Sequence, residues 1–189
     1  MEFIMSRLFA GHGKAAAEKV KISAPYCLSF PASPHLASEI DGVKIDIEKI
    51  LYEYGIISSR TDVLLVEGTG GIMVPVTRDL LYIDLLEKLR PRIILVARSG
   101  LGTINHTLLS LEALRARGLE ILCVILNPVN AAGERDDTSH VIVRDNKKII
   151  STLGQVDVFG PLPFADDVTG REIQAHIRQV TEKIRGCLS

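Results

Sequence analysis

Residues 61–71 read TDVLLVEGTGG, in which an apolar run is followed directly by a carboxylate and then by glycines. The unbroken apolar run at residues 63–66 is typical of a strand covered on both faces of a parallel sheet. Glu67 then follows at the carboxyl end of that strand, where open α/β sheets bind their ligands. Gly68 and Gly70 let backbone amides approach an anion. The segment predicts a site for a metal-bound phosphate; the alternative is a strand-end acid followed by a flexible turn.

The composition limits what the chain can be. Its 189 residues predict one domain, residues 1–189, with one core. Lysine and arginine number 22 against 23 acids, without a basic block, which argues against nucleic acid or an anionic membrane as a partner. The cysteines at 27, 123 and 187 are odd in number and far apart, which indicates a reducing cytoplasm. No apolar stretch has the length of a membrane span.

Helical and strand patterns alternate along the chain. The predicted helices are residues 47–54, 79–89, 103–118, 140–152 and 173–184. Asp46 and Thr103 are the predicted N-caps of the first and third of these helices. The predicted strands are residues 63–66, 73–76, 93–97, 121–126 and 156–160. Strands starting about thirty residues apart predict right-handed crossovers and a parallel sheet. The fold class predicted from the pattern is therefore α/β.

Residues 1–24 are weakly patterned and contain LFAGHGKAA. A Walker loop needs a glycine five residues before Gly13 and a hydroxyl after Lys14, but Leu8 and Ala15 stand at those positions. The interpretations are a degenerate phosphate loop, a helix start or a frayed end.

Three strand exits, EGTGG, SGLGTINH and the dipeptide Asn127-Pro128, fall on the same edge of a parallel sheet. Backbone amides at the start of the helix after SGLG form an anion pocket, to which Asn105 and the Thr103 hydroxyl add neutral hydrogen bonds. The alternative is an ordinary capped helix with solvated polar side chains in its first turn.

From about residue 20 to the end, the chain resembles dethiobiotin synthetase. The resemblance rests on SPH (33–35), VEGTGG (66–71), GLGTINH (100–106), LEALRARGL (111–119), ILN (125–127) and GPLPF (160–164). The resemblance implies a three-layer parallel sheet of the P-loop NTPase type and a cytoplasmic homodimer. The implied reaction belongs to biotin biosynthesis: the ureido ring of 7,8-diaminononanoate is closed with CO2, and the reaction uses ATP and Mg2+. A cobyrinate amidating enzyme fits less well, because GLGTINH favours the biotin branch.

The resemblance also assigns roles to residues. Glu67 would be a magnesium ligand, and Glu67, Gly68, Thr69 and Gly70 would lie beside the nucleotide phosphates. The adenine side would be formed by Asn127, Pro128, Pro163, Phe164 and Ala165. The substrate carboxylate would lie at a helix start formed by Leu101, Gly102, Thr103, Ile104 and Asn105, across the dimer interface.

The chain departs from the family in its amino-terminal part, so the fold is expected to be N-terminally truncated. The family's first strand, phosphate loop and catalytic lysine precede SPH and have no match in these residues, and Lys14 receives no role. We therefore assign no catalytic residue and expect poor turnover by the chain alone.

One hypothesis is an enzyme whose phosphate loop comes from a separate segment; the other is an inactive, dimeric carboxylate-binding or interaction protein. Without the first strand, an unpaired strand edge and an apolar groove should favour association.

Overall fold

The structure, a computed structural model, describes residues 23–128, 137–163 and 170–186. These residues form two compact units, residues 23–91 and the described residues from 92 onward. The prediction of one domain over residues 1–189 stays a prediction.

The first unit contains three helices, α1 (Pro34–Ile40), α2 (Ile47–Ser58) and α3 (Tyr82–Leu89). The predicted cap of α2 is confirmed, because an Asp46 side-chain oxygen accepts a hydrogen bond from the Glu48 amide at 2.9 Å. Helix α3 begins later than residue 79, because the Asp84 carboxylate accepts the Leu81 amide at 2.9 Å and fixes Leu81 as the residue before the helix. It ends at Leu89, with Arg90 in a left-handed conformation before Pro91.

The predicted strands at residues 63–66 and 73–76 are wrong. Residues 63–66 have no ladder partner in the described part of the chain, and Val63 and Leu65 are 81% and 83% exposed. Residues 73–76 contribute only an isolated bridge from Pro75 to Leu81. A strand requires a ladder of hydrogen bonds; the described part of this unit supplies no partner to residues 63–66, and the bridge at Pro75 is not extended into a ladder.

The second unit is the predicted α/β parallel sheet. Its elements are β1 (Ile93–Arg98), α4 (Thr103–Ala116), β2 (Ile121–Asn127), α5 (Asp137–Gly154), β3 (Val158–Phe159) and α6 (Arg171–Gly186). The strands lie in the order β1-β2-β3 and both pairings are parallel, with Leu95 opposite Val124 and Ile125 opposite Phe159. The predicted fold class is confirmed, although among the described residues β1 rather than residues 63–66 is the first strand of the sheet.

The core of this unit lies between the sheet and the helices α4 and α5. It consists of five buried residues from these elements, namely Leu111, Val124, Leu126, Ile150 and Val158. On α6, Ile173 is buried and Ile177 is 38% exposed. None of the described helices combines the length and the apolarity that a bilayer crossing needs.

Because the strands are parallel, their carboxyl ends lie at one edge of the sheet. Residues 99–102 follow β1, Pro128 follows β2 and residues 160–163 follow β3. The predicted grouping of the second and third exits at one edge is therefore correct.

Candidate functional site

The EGTGG segment, residues 67–71, forms an exposed turn in the first unit. The side chains of Glu67 and Thr69 are exposed, and Gly70 has φ +80°, a conformation that side-chain-bearing residues rarely adopt. A hydrogen-bonded turn follows at residues 71–74, where the Val74 amide donates to the Gly71 carbonyl at 3.0 Å. Glu67, Gly68, Thr69 and Gly70 thus lie together on one short segment, in which the Glu67 side chain is exposed.

Tyr82, the first residue of α3, lies against this turn and was not predicted as a site residue. A Cβ atom on Gly68 would fall 2.3 Å from Cε1 and Cζ of the Tyr82 ring and 2.7 Å from its hydroxyl oxygen. Burial, and secondarily the charge of Glu67, raises the pKa of the Tyr82 phenol. The sequence gives no sign of this contact, because it arises from the fold of the connection between Gly71 and α3.

That connection is fixed by backbone hydrogen bonds at the beginning of α3. The Tyr82 amide donates to the Val74 carbonyl at 2.8 Å, and the Ile83 amide donates to the Ile72 carbonyl at 2.8 Å. Ile83 is fully buried. The ring of Tyr82 is therefore held at Gly68 by an anchored helix start.

The start of α4 in the second unit corrects one prediction. Gly102, with φ +86°, is the N-cap residue, and Thr103 is already the first residue of the helix. The Thr103 side chain is 3% exposed, and its hydroxyl lies 3.3 Å from that of Thr107. The Thr103 hydroxyl therefore does not cap the helix, because it is directed toward Thr107 inside the unit.

The other residues predicted at this helix start are placed differently from Thr103. Leu101 is 88% exposed, Asn105 is exposed and Ile104 is half-buried against the core. The Thr103 amide donates to the Gly100 carbonyl at 3.2 Å. The amides of Ile104 and Asn105 have no acceptor in the described part of the chain, as is usual in the first turn of a helix.

Asn146 of α5 supports the loop that leads into α4. Its side chain is 6% exposed, and Nδ2 donates to the Ser99 carbonyl at 3.0 Å and to the Gly100 carbonyl at 3.3 Å. A single asparagine in the polar stretch DNKK gives no sign of this role. The contact therefore depends on the tertiary structure and was not predicted.

The exits of β2 and β3 are joined by a backbone hydrogen bond, and a side chain of α5 binds the exit of β3. The Leu162 amide donates to the Leu126 carbonyl at 3.0 Å, and the Lys147 ammonium donates to the Gly160 carbonyl at 2.8 Å. Asn127 is exposed and Pro128 is buried. Pro163 is half-buried on the loop after β3, whereas Phe164 and Ala165 lie outside the described residues.

Within the described sheet, β1 has a hydrogen-bonded neighbour on one side only. Val96 on this strand is 60% exposed, and a cavity of about 150 Å³ lies beside the strand. The cavity is lined by Leu95, Val96, Ala97 and Arg98 of β1 and by Thr103, His106, Thr107 and Ser110 of α4. Glu67 belongs to the first unit and the start of α4 to the second, so their convergence on one cavity stays a prediction.

Comparison with known proteins gives the same family as the sequence motifs. The ATP-dependent dethiobiotin synthetase BioD of Clostridium perfringens (strain 13 / Type A) is 41% identical over 146 residues, which are 76% of this chain and 61% of the relative. The proteins of the same name from Rhodopseudomonas palustris (strain HaA2) and Nitrobacter hamburgensis are each 42% identical over 82% of this chain and 64% of the relative.

These similarities confirm the resemblance to dethiobiotin synthetase. The chain spans less than two thirds of the length of these curated relatives. A family model described as an AAA domain matches residues 12–172, which is most of the sequence, and the chain belongs to that family.

Proposed function

We propose that this chain contributes to an ATP-dependent dethiobiotin synthetase of biotin biosynthesis. The observation that carries the proposal is its 41–42% identity to proteins of that name along 146–155 residues. The substrates are 7,8-diaminononanoate, CO2 and ATP. One amine adds to CO2 to form a carbamate, the carbamate oxygen takes the γ-phosphoryl group and releases ADP, and the second amine closes the ring by displacing phosphate.

Glu67 and the turn that follows it suit a magnesium nucleotide. Mg2+ is usually held by one or two carboxylates together with phosphate oxygens and water, and the exposed carboxylate of Glu67 fits this requirement. The amides of residues 67–70 have no acceptor in the described part of the chain. In the proposal Glu67 holds Mg2+, which neutralises phosphate charge when bound, and the turn from Gly68 through Thr69 to Gly70 lies along the phosphates.

The start of α4 suits the carboxylate of the diamine. The amides of Ile104 and Asn105 are available there, and the positive end of a 14-residue helix favours an anion. Leu101 and Gly102 precede these amides on the exposed side of the loop. Thr103 belongs to the same helix start, but its amide donates to the Gly100 carbonyl and its hydroxyl lies beside that of Thr107, so Ile104 and Asn105 supply the free amides.

The adenine is proposed to lie at the joined exits of β2 and β3. Asn127 offers an exposed amide side chain at the end of β2, and Pro128, which is buried, follows it. Pro163 follows β3, and Phe164 and Ala165 continue that loop in the sequence. The backbone contact between Leu126 and Leu162 supports the use of both exits by one ligand.

The proposed enzyme is a cytoplasmic homodimer that depends on a phosphate-binding loop. No GxxxxGK[ST] match occurs in these 189 residues. The reaction is therefore proposed to need a segment that carries such a loop, whether on the same polypeptide or on another. Exposed Leu101 at the substrate helix start is consistent with a dimer contact across the site.

The test is the release of phosphate from ATP, measured with and without 7,8-diaminononanoate. We expect diamine-dependent release only when the 189-residue chain is produced together with a segment bearing GxxxxGK[ST]. Turnover by the 189 residues alone would contradict the requirement for that segment. Calorimetry that detects diamine binding but no Mg-ATP binding, even with the segment present, would favour the alternative of a carboxylate-binding protein.

Light scattering tests the dimer separately. We expect a mass of twice the 20.7 kDa chain, or a larger multiple. A monomer at the concentrations used for the activity measurement would contradict the homodimer.

A further inference from the structure

Tyr82 combines three properties that no other described residue of the first unit shares. Its ring occupies the space beside Gly68 that a Cβ would fill, its backbone amide is anchored to Val74, and its hydroxyl reaches the turn that begins at Glu67. The approach to the virtual Cβ is close enough that any side chain at position 68 would displace the ring or the turn.

The Tyr82 hydroxyl is available to a ligand. No acceptor for it occurs among the described residues, and the described side chains include no buried polar atom that lacks a partner. The hydroxyl therefore reaches open space rather than a dry interior. A phenol that keeps its proton at neutral pH is a hydrogen-bond donor, and phosphate oxygens are strong acceptors.

We propose that Tyr82 is a ligand-contacting and positioning residue of the nucleotide site, whose ring fixes the Glu67–Gly70 turn and whose hydroxyl donates a hydrogen bond to a phosphate oxygen. This inference rests on the proposed function, because it takes the ligand at the turn to be Mg-ATP. It adds a side chain from α3 to the phosphate side of the site, where the proposal otherwise uses Glu67 and residues 68–70.

The first experiment measures Mg-ATP affinity by calorimetry for the full chain and for Tyr82→Phe, with the phosphate-loop segment present for both. We expect the dissociation constant of Tyr82→Phe to rise about tenfold, the usual effect of losing one hydrogen bond to a charged acceptor. The control is Tyr52→Phe, because Tyr52 on α2 is 70% exposed; its affinity should equal that of the wild type.

The second experiment measures amide hydrogen exchange at Val74, whose amide donates to the Gly71 carbonyl, without nucleotide. Tyr82→Leu should accelerate exchange there, because the ring no longer holds the turn, whereas Tyr82→Phe should leave exchange unchanged. Unchanged exchange in Tyr82→Leu would overturn the positioning role. Unchanged exchange in α2 of the same Tyr82→Leu protein separates the loss of the ring contact from a folding defect.

The two possible failures are distinguishable. Equal Mg-ATP affinity of the wild type and Tyr82→Phe would overturn the hydroxyl contact while leaving the proposed nucleotide site in place. Absence of Mg-ATP binding by the wild type would overturn the proposed site and the hydroxyl contact together. The exchange measurement would then still decide whether the ring positions the turn.

Discussion

Asn146 Nδ2 donates to the carbonyl of Ser99 at 3.0 Å, and both residues are buried. This bond joins the middle of α5 to the loop between β1 and α4. The loop that presents Leu101 and Gly102 is therefore shaped by a residue more than 40 positions away in the sequence.

Asn146→Ala should destabilise the protein by about 1–3 kcal/mol, because it removes the side-chain donor from the buried Ser99 carbonyl. Urea denaturation of the wild type and the variant measures the difference. The control is Asn105→Ala, whose exposed side chain should change stability by no more than about 0.5 kcal/mol. Equal effects of the two substitutions would contradict a supporting role of Asn146.

Gly160→Ala should destabilise the protein more than Gly102→Ala does. The two glycines have φ values of +88° and +86°, so a left-handed penalty of about 1–2 kcal/mol applies to both. Only at Gly160 would the new Cβ collide, 2.6 Å from the Leu126 carbonyl oxygen; at Gly102 nothing lies within 4 Å.

The collision should add about 1–3 kcal/mol to the cost of Gly160→Ala. The unfolding free energies of both variants, measured by denaturation, give this additional cost by subtraction. A difference near zero would mean that the exits of β2 and β3 are not packed together as described.

Asp41 predicts a pH dependence of stability. Its carboxylate accepts the Ser29 hydroxyl and the Ser29 amide, both at 2.6 Å, and these bonds hold its pKa below the ordinary value of 3.8. Because the folded-state pKa is the lower one, this stabilisation is complete above the unfolded-state pKa and is lost as the pH falls through the folded-state pKa.

Ser29→Ala removes the hydroxyl bond to Asp41. We expect the variant to be less stable than the wild type at pH 7, and the difference to shrink as the pH falls below about 4. Denaturation curves recorded from pH 7 to pH 3 measure this. A difference that stays constant or grows in acid would contradict the assigned sign.

Glu67→Gln should weaken Mg-ATP binding by at least about tenfold, as expected for loss of a metal ligand, because the amide carries no charge to attract Mg2+. Binding of ATP in the presence of a chelator should change little. Glu112→Gln, at an exposed position of α4, is the matched control. Calorimetry with and without Mg2+ separates the two effects, and equal Mg2+ dependence of both variants would remove Glu67 from the metal site.

Much of the fold could be predicted because it depends on local pattern. The apolar runs of β1 and β2, the cap at Asp46 and the spacing of the helices are properties of neighbouring residues, and the structure contains these elements within a few positions of their predicted bounds. The same pattern failed at residues 63–66, since an apolar run becomes a strand only when another strand supplies hydrogen bonds.

The same distinction between local pattern and tertiary contact applies to the candidate site. The sequence by itself determined that Glu67 and Gly70 stand on one turn and that Ile104 and Asn105 open a helix, because these groups are adjacent in the chain. Only the tertiary structure decided that the Thr103 hydroxyl lies inside, that Tyr82 occupies the space beside Gly68 and that Asn146 holds the loop before α4. Such contacts join residues far apart in sequence, and their geometry depends on how whole elements pack.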